Sequence, residues 1–181
     1  PEARSSHDVV IVDQQLYVLG GWQLRGSEPA TWPQHAYRLD LRDPQATWQQ
    51  IPQPFSRRAL IATVHQGKIY ILGGIQPSSA VSTDVDIFDP QSQTWSKGPA
   101  IPGPALQGFA PAAATHGGAL YLSVGDGSLL RLNPKAQCWE QVSESSPRLA
   151  HRMLSSQGQL WILGGAHQGK NLALVEAVSP Q

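Results

Sequence analysis

Three arginines, Arg4, Arg57 and Arg148, each stand thirteen residues ahead of an aromatic residue: Tyr17, Tyr70 and Trp161. A guanidinium is a planar fork that can grip a carboxylate through two parallel hydrogen bonds. Arginines recurring at one position therefore suit recognition of acidic groups. The same placement suits a second task, each arginine tying its own repeat unit to the next through hydrogen bonds to turn carbonyls. Arg58 and Arg152 are nearby extras. A second set follows directly on paired glycines: Trp22, Ile75 and Ala166, with Asp126 as the counterpart in a degenerate copy. Trp22 opens the segment 22–35, the longest insertion, which also carries Pro29, Trp32 and Pro33. Exposed aromatics on a loop suit contact with a partner, whereas folded back they would cover their own strands. The candidate partner-binding residues are thus Arg4, Arg57, Arg148, Trp22, Ile75 and Ala166.

Other chemistries find less support. His7 and His151 occupy equivalent positions, His65 and His116 fall in turns, and His35 and His167 lie in loops. No pair has a metal-ligand spacing and no cysteine cluster accompanies them, so no metal is expected. Gly164-x-x-x-x-Gly169-Lys170 imitates a phosphate-binding loop. Asn171 stands where a magnesium-binding hydroxyl is needed, and a strand-like segment follows where a helix should. No nucleophile elbow or Cys–His arrangement is present. No catalytic residue and no cofactor is expected.

Composition narrows the partners. Thirteen Lys+Arg balance thirteen Asp+Glu in 181 residues, which gives no electrostatic case for nucleic acid or a membrane surface. No apolar run reaches the 18 or so residues of a membrane span, and no signal peptide opens the chain. The single cysteine, Cys138, cannot form an internal disulfide, in keeping with a reducing, cytoplasmic location. Seventeen glycines and fifteen prolines favour short strands joined by tight connections.

The elements that must position these residues recur. Leu16-Tyr17-Val18-Leu19-Gly20-Gly21 returns as Ile69-Tyr70-Ile71-Leu72-Gly73-Gly74 and as Leu160-Trp161-Ile162-Leu163-Gly164-Gly165. Leu120-Tyr121-Leu122-Ser123-Val124-Gly125 is a worn copy with one glycine lost, and Gly108 stands at its arginine position. The spacings of 53, 51 and 40 residues indicate a repeat protein. Asp43-Pro44, Asp89-Pro90 and Asn133-Pro134 follow, each with a tryptophan four or five residues on: Trp48, Trp95 and Trp139. Each unit reads as four short strands, in the second copy at 60–64, 68–72, 85–88 and around Trp95. The first two strands are almost continuously apolar, as at 9–12, which suits sheets covered on both faces. Asp126-Gly127 predicts a very short loop in the third unit. The stretch 104–115 predicts a connection followed by a strand.

Arginine, apolar strand, aromatic plus Gly-Gly, Asp-Pro and tryptophan, in that order, resemble the kelch repeat, a blade of a β-propeller. The match at 56–74, with Val85-Asp86-Ile87-Phe88-Asp89-Pro90 and Trp95, most resembles the kelch domain of BTB-kelch (kelch-like) proteins. The resemblance implies an all-β partial propeller of four-stranded antiparallel blades. Its repeats run at about 1–53, 54–104, 105–146 and 147–181, the last without its outer strand. Such rings resemble closed circles of about six blades, so the chain is expected to form part of a ring. The resemblance further implies a non-catalytic recognition module of a cullin–RING ubiquitin-ligase adaptor, whose arginines at the channel mouth meet an acidic protein or peptide. Cullin itself would be reached only through a BTB region outside this chain. A cytoskeletal, actin-associated kelch protein is the alternative, and a sugar-converting kelch enzyme a more distant one.

Overall fold

The apolar runs pair as short antiparallel strands in the computed structural model, which describes residues 1–179. The first blade comprises β1 (Ser5–Val12), β2 (Gln15–Trp22), β3 (His35–Asp40) and β4 (Gln49–Pro52). The second comprises β5 (Ile61–His65), β6 (Lys68–Leu72), β7 (Val85–Asp89) and β8 (Thr94–Lys97). A single 3-10 turn, Ala105–Gly108, leads into the third: β9 (Ala112–His116), β10 (Ala119–Ser123), β11 (Ser128–Asn133) and β12 (Cys138–Glu144). In the fourth, β13 (Arg152–Ser156) and β14 (Gln159–Leu163) precede a small hairpin of β15 (Ala166–His167) and β16 (Lys170–Asn171). β17 (Val175–Val178) then pairs with β14. That sheet has three strands in the order β13-β14-β17, where the others have four. The four blades are arranged as a β-propeller, all-β apart from the one 3-10 turn among the described residues.

Each blade–blade junction is an apolar layer. Val10, Val12, Tyr17 and Leu19 of the first blade meet Leu60, Ala62, Ile69, Ile71 and Phe88 of the second. Ile61, Leu72 and Val85 meet Leu120, Leu122 and Trp139 of the third. Ala112, Ala114 and Tyr121 then meet Met153, Leu160 and Ile162 of the fourth. Burial of this kind stabilises by roughly 1.5–3 kcal/mol per large side chain. The apolar run 9–12 departs from the expectation of two covered faces. Val10 and Val12 are buried, while Val9 and Ile11 remain 42% and 57% exposed. Alternate side chains of a strand point to opposite sides, and no described sheet lies against the outer side of the first blade.

Two devices fasten neighbouring blades. Near the start of each innermost strand stands a non-glycine residue with positive φ: Ser6, Ala59, Ala110 and Ala150. Their backbones form a chain around the channel mouth. The Ala59 N–H donates to Ser6 O at 2.8 Å, Ala110 N–H to Ala59 O at 3.0 Å, and Ala150 N–H to Ala110 O at 3.2 Å. At the rim, the indole N–H of Trp95 donates to Pro52 O of the preceding blade at 2.9 Å, and that of Trp139 to Pro99 O at 2.8 Å. Trp95 and Trp139 therefore each pack against the apolar layer and latch one blade to the one before it.

Candidate functional site

The three repeat arginines lie inside the blades. Arg57 and Arg148 are 2% and 1% exposed. Arg57 Nη1 donates to Gly73 O and Asp84 O, both at 2.9 Å. Arg4 Nη1 donates to the equivalent carbonyls of Gly20 (3.1 Å) and His35 (2.8 Å), and Arg148 Nη1 to those of Gly164 (3.2 Å) and Leu174 (3.5 Å). The presented carbonyls depend on glycine, because Gly20, Gly73 and Gly164 have φ of 67°, 66° and 61°. A carboxylate completes each post: Glu2 for Arg4, Asp86 for Arg57 and Glu176 for Arg148. Asp86 and Glu176 share one register position, opposite Ile71 and Ile162. In the first blade Tyr37 stands there, and its hydroxyl donates to Glu2 instead. Burial would raise the Glu2 carboxyl, but Tyr37 and Arg4 outweigh it and hold it at about 2. Desolvation lowers the Arg57 pKa, opposed by Asp86 and Asp84.

These side-chain bonds all stay within the arginine's own blade, so each guanidinium fastens its own strands and does not tie its blade to the next. The carboxylates that complete the posts were not singled out in the sequence. Their signal was present as an acidic residue on the third strand of the second and fourth units, missing where the arginine is missing.

Trp22, Ile75 and Ala166 do come to one repeat position. Each pairs with the residue after the arginine: Trp22 with Ser5, Ile75 with Arg58, and Ala166 with Leu149. Their side chains are half-buried at the glycine end of the blades. Between the first two blades they build a stack. The Arg58 guanidinium lies 4.1 Å from the Trp22 ring centre, and Trp32 packs on Trp22 at 5.4 Å and 54°. The strand-like bridge Gln23–Thr31 returns the inserted loop so that Trp32 can reach. Arg58, a minor candidate in the sequence, is thus the cation of this face. Its Nε lacks a hydrogen-bond partner, and no carboxylate among the described residues pairs with it. A guanidinium over an indole is attracted by the ring face and can still offer its outer N–H groups to a planar acceptor. Arg152 is mostly exposed, 3.7 Å from Asp8.

Among the described residues no group of three or more His, Cys, Asp or Glu could hold a metal ion. His7 and His151 line a cavity of about 190 Å³ at the channel mouth together with Ser6, Ala59, Ala110 and Ala150. His151 Nε2 is 2.9 Å from Ser123 Oγ of the third blade. Burial first, then the charges of Arg148 and Arg152, push His151 down to about 4, so it is neutral at pH 7. The glycine-rich stretch 164–170 leads from the end of β14 through β15 to the start of β16, with no helix behind it. No helix among the described residues is long and apolar enough to cross a membrane.

Comparison with known proteins agrees with this architecture. Residues 1–165 match the model of the KLHDC2/KLHL20/DRC7 Kelch-repeats domain. Beta-scruin of Limulus polyphemus is 26% identical over 97% of this chain and 20% of its own length. Kelch-like protein 33 of Homo sapiens is 30% identical over 70% of this chain and 24% of its own length. The chain therefore spans about a fifth to a quarter of these two relatives. The solved structure of YjhT superposes with a TM-score of 0.76, at 16% identity, over 99% of this chain and 66% of that one. With blades, buried arginines, glycine pairs and latch tryptophans in register, the chain belongs to the kelch-repeat family.

Proposed function

We propose that this kelch-repeat protein-interaction module holds its partner at the glycine end of the first two blades, through Trp22, Trp32, Arg58 and Ile75. Ala166 extends the same face on the fourth blade. The observation that carries this reading is Arg58, a cation laid on Trp22 with no carboxylate partner among the described residues. An acidic side chain of a protein or peptide would complete it and would bury the two indoles, the residue types that dominate interface energies. Arg4, Arg57 and Arg148 serve this face as posts behind it. In the wider protein we infer a non-catalytic, cytoplasmic role as substrate-recognition part of a cullin–RING ubiquitin-ligase adaptor. The similarity to Kelch-like protein 33 and to Kelch repeat and BTB domain-containing protein 12 supports it.

An array of acidic peptides probed with the purified chain tests the face. Trp22→Ala and Arg58→Ala are each expected to weaken captured peptides at least tenfold, with the melting temperature held within about 2 °C. Capture that survives both substitutions, or a Trp22→Ala variant that melts far lower, would remove the face from the proposal. Co-sedimentation with filamentous actin would favour the cytoskeletal alternative.

A further inference from the structure

We propose that the recess between the third and fourth blades, at their glycine end, docks one large apolar side chain of a partner polypeptide with a lysine or arginine next to it in sequence. The inference rests on reading this end of the blades as the partner-binding end, and adds the residue class that its far side recognises. The recess exists because the third unit has almost no loop between its second and third strands. Asp126-Gly127 closes the turn at once, and the Gly127 N–H donates to Val124 O at 3.0 Å. In the second blade the corresponding segment 75–82 lies over the start of the next unit, where Ser82 O would be 1.9 Å from a Cβ on Gly108. The third blade has no such loop, so Leu149 at the start of the fourth unit stays half-buried beside a space of about 320 Å³.

The walls are apolar and already in place. Leu149 Cδ2 lies 2.6 Å from where a Cβ on Gly125 would stand, so leucine and glycine close the floor together. Ala166 is held beside Leu149 by two reciprocal backbone bonds of 2.8 and 2.9 Å. Leu106, in the 3-10 turn, forms a wall and is 57% exposed. Gln107, 8% exposed, fixes that turn to the Asp126 turn. Its Nε2 donates to Asp126 Oδ2 at 2.6 Å, and its Oε1 accepts the Asp126 N–H at 3.3 Å. Asp126 Oδ1 accepts the Ser128 N–H at 2.9 Å. Both donors to this exposed carboxylate are neutral, and no cation among the described residues pairs with it. The far wall, His167, Gln168 and Gly169, brings no carboxylate, and Lys170 beyond it is exposed. Charge around the recess is therefore one-sided, with its anion at the Asp126 rim. An apolar side chain would cover Leu106 and Leu149, and a cation beside it would meet Asp126 and fix the orientation of the segment. The space lies at the low end of the roughly 300–1,000 Å³ of pre-formed ligand pockets, which suits a single inserted side chain.

The probes are three N-acetylated, C-amidated hexapeptides, Gly-Gly-Leu-Lys-Gly-Gly and its Ala-Lys and Leu-Glu counterparts. Each is titrated to millimolar concentration into the isotope-labelled 181-residue chain and followed by NMR. The Leu-Lys peptide should shift the amides of Gly125, Asp126, Leu149 and Ala166, and the other two should bind at least tenfold more weakly. Leu106→Ala, at an exposed position, should weaken the Leu-Lys peptide at least fivefold without moving the melting temperature. Asp126→Asn should bring the Leu-Lys and Leu-Glu peptides to about equal affinity. Trp22→Ala should leave Leu-Lys binding unchanged, and its loss there would place the peptide on the other face and overturn the pocket. No shifts, shifts confined to Trp22, Trp32 and Arg58, or equal binding of the Ala-Lys and Leu-Lys peptides would overturn it too, whatever the acidic peptides do. Failure of acidic-peptide capture while Leu-Lys binding persists at Asp126 and Leu149 would strike the Trp22–Arg58 reading alone and support this one.

Discussion

The second and third blades are neighbours with the same four-stranded order, yet they are held by different means. The second carries its own post: Arg57 spans from the Gly73 carbonyl to the buried Asp86. At the three equivalent positions the third blade has Gly108, Val124 and Leu130, so cation, carbonyl-presenting glycine and carboxylate are all gone together. Val124 and Leu130 are buried in the apolar layer instead. The third blade keeps a tie of its own, the Gln107 amide donating to Asp126 Oδ2 at 2.6 Å, and adds bonds from its neighbours. Gly74 N–H donates to Gly108 O at 2.7 Å, and Ser123 meets His151 across the next junction at 2.9 Å. A buried charge is tolerable only with its partners complete, so losing one member of the post makes the other two a cost.

The sharpest way to break this comparison is Arg57→Ala. It leaves Asp86 buried with only the exposed Lys97 nearby, and a loss of about 3–5 kcal/mol is expected in denaturant unfolding. Arg57→Leu combined with Asp86→Leu imitates the apolar interior of the third blade. The double variant should lose clearly less than the sum of the single ones. Additive losses would mean that the two side chains do not act as one post.

Next in size is the pH dependence of the third junction. His151 sits at about 4 in the fold against 6.5 for a free imidazole. Between those values the unfolded chain takes up a proton that the folded chain refuses, so this residue lowers stability as pH falls from about 6.5 and the loss levels off near 4. The full window is on the order of 3 kcal/mol. His151→Gln keeps a polar partner for Ser123 and should flatten that part of the stability–pH curve relative to the unaltered chain. An unchanged slope would show that the imidazole is not desolvated at the junction.

The second junction is tested sterically by Gly108→Ala. A Cβ there would lie 1.9 Å from Ser82 O, a backbone atom that cannot swing aside. Overpacking of this sort costs about 1–3 kcal/mol, and here it should separate two blades rather than loosen one. Faster amide exchange on both β7 and β9 is the expected signature. Exchange changes confined to β9 would refute the idea that the third blade leans on the second.

The repeat made the fold readable. The Gly-Gly phrase, the Asp-Pro turns and the tryptophans placed the strands to within a residue or so, with 60–64 observed as Ile61–His65 and 68–72 observed unchanged. Function was less readable because one residue type serves two tasks. An arginine at a fixed repeat position suits a partner's carboxylate and the chain's own carbonyls equally well, and only the path of the side chain separates them. Arg57 turns inward to Asp86, while Arg58, one residue later, turns outward onto Trp22. The stack of Trp22 on Trp32 also lay beyond sequence reasoning, since it depends on how a ten-residue-scale insertion closes on itself through the Gln23–Thr31 bridge.

The smallest expected effect bears on whether the post of the second blade is a pair or a trio. Lys97 Nζ lies 2.8 Å from Asp86 Oδ1, but its side chain is 67% exposed, whereas Arg57 and Asp86 are each 2% exposed. A solvated ammonium is screened and loses rotamer freedom when it pairs, so Lys97→Ala should cost no more than about 0.5 kcal/mol, and less in high salt. Arg57, with two carbonyls and a carboxylate in reach, holds Asp86 without it. A loss well above 1 kcal/mol that persists in molar salt would show the reverse, that one buried carboxylate needs both cations. The blade would then be neutralised from its rim as well as from its centre, and the contrast with the apolar third blade would extend to the surface.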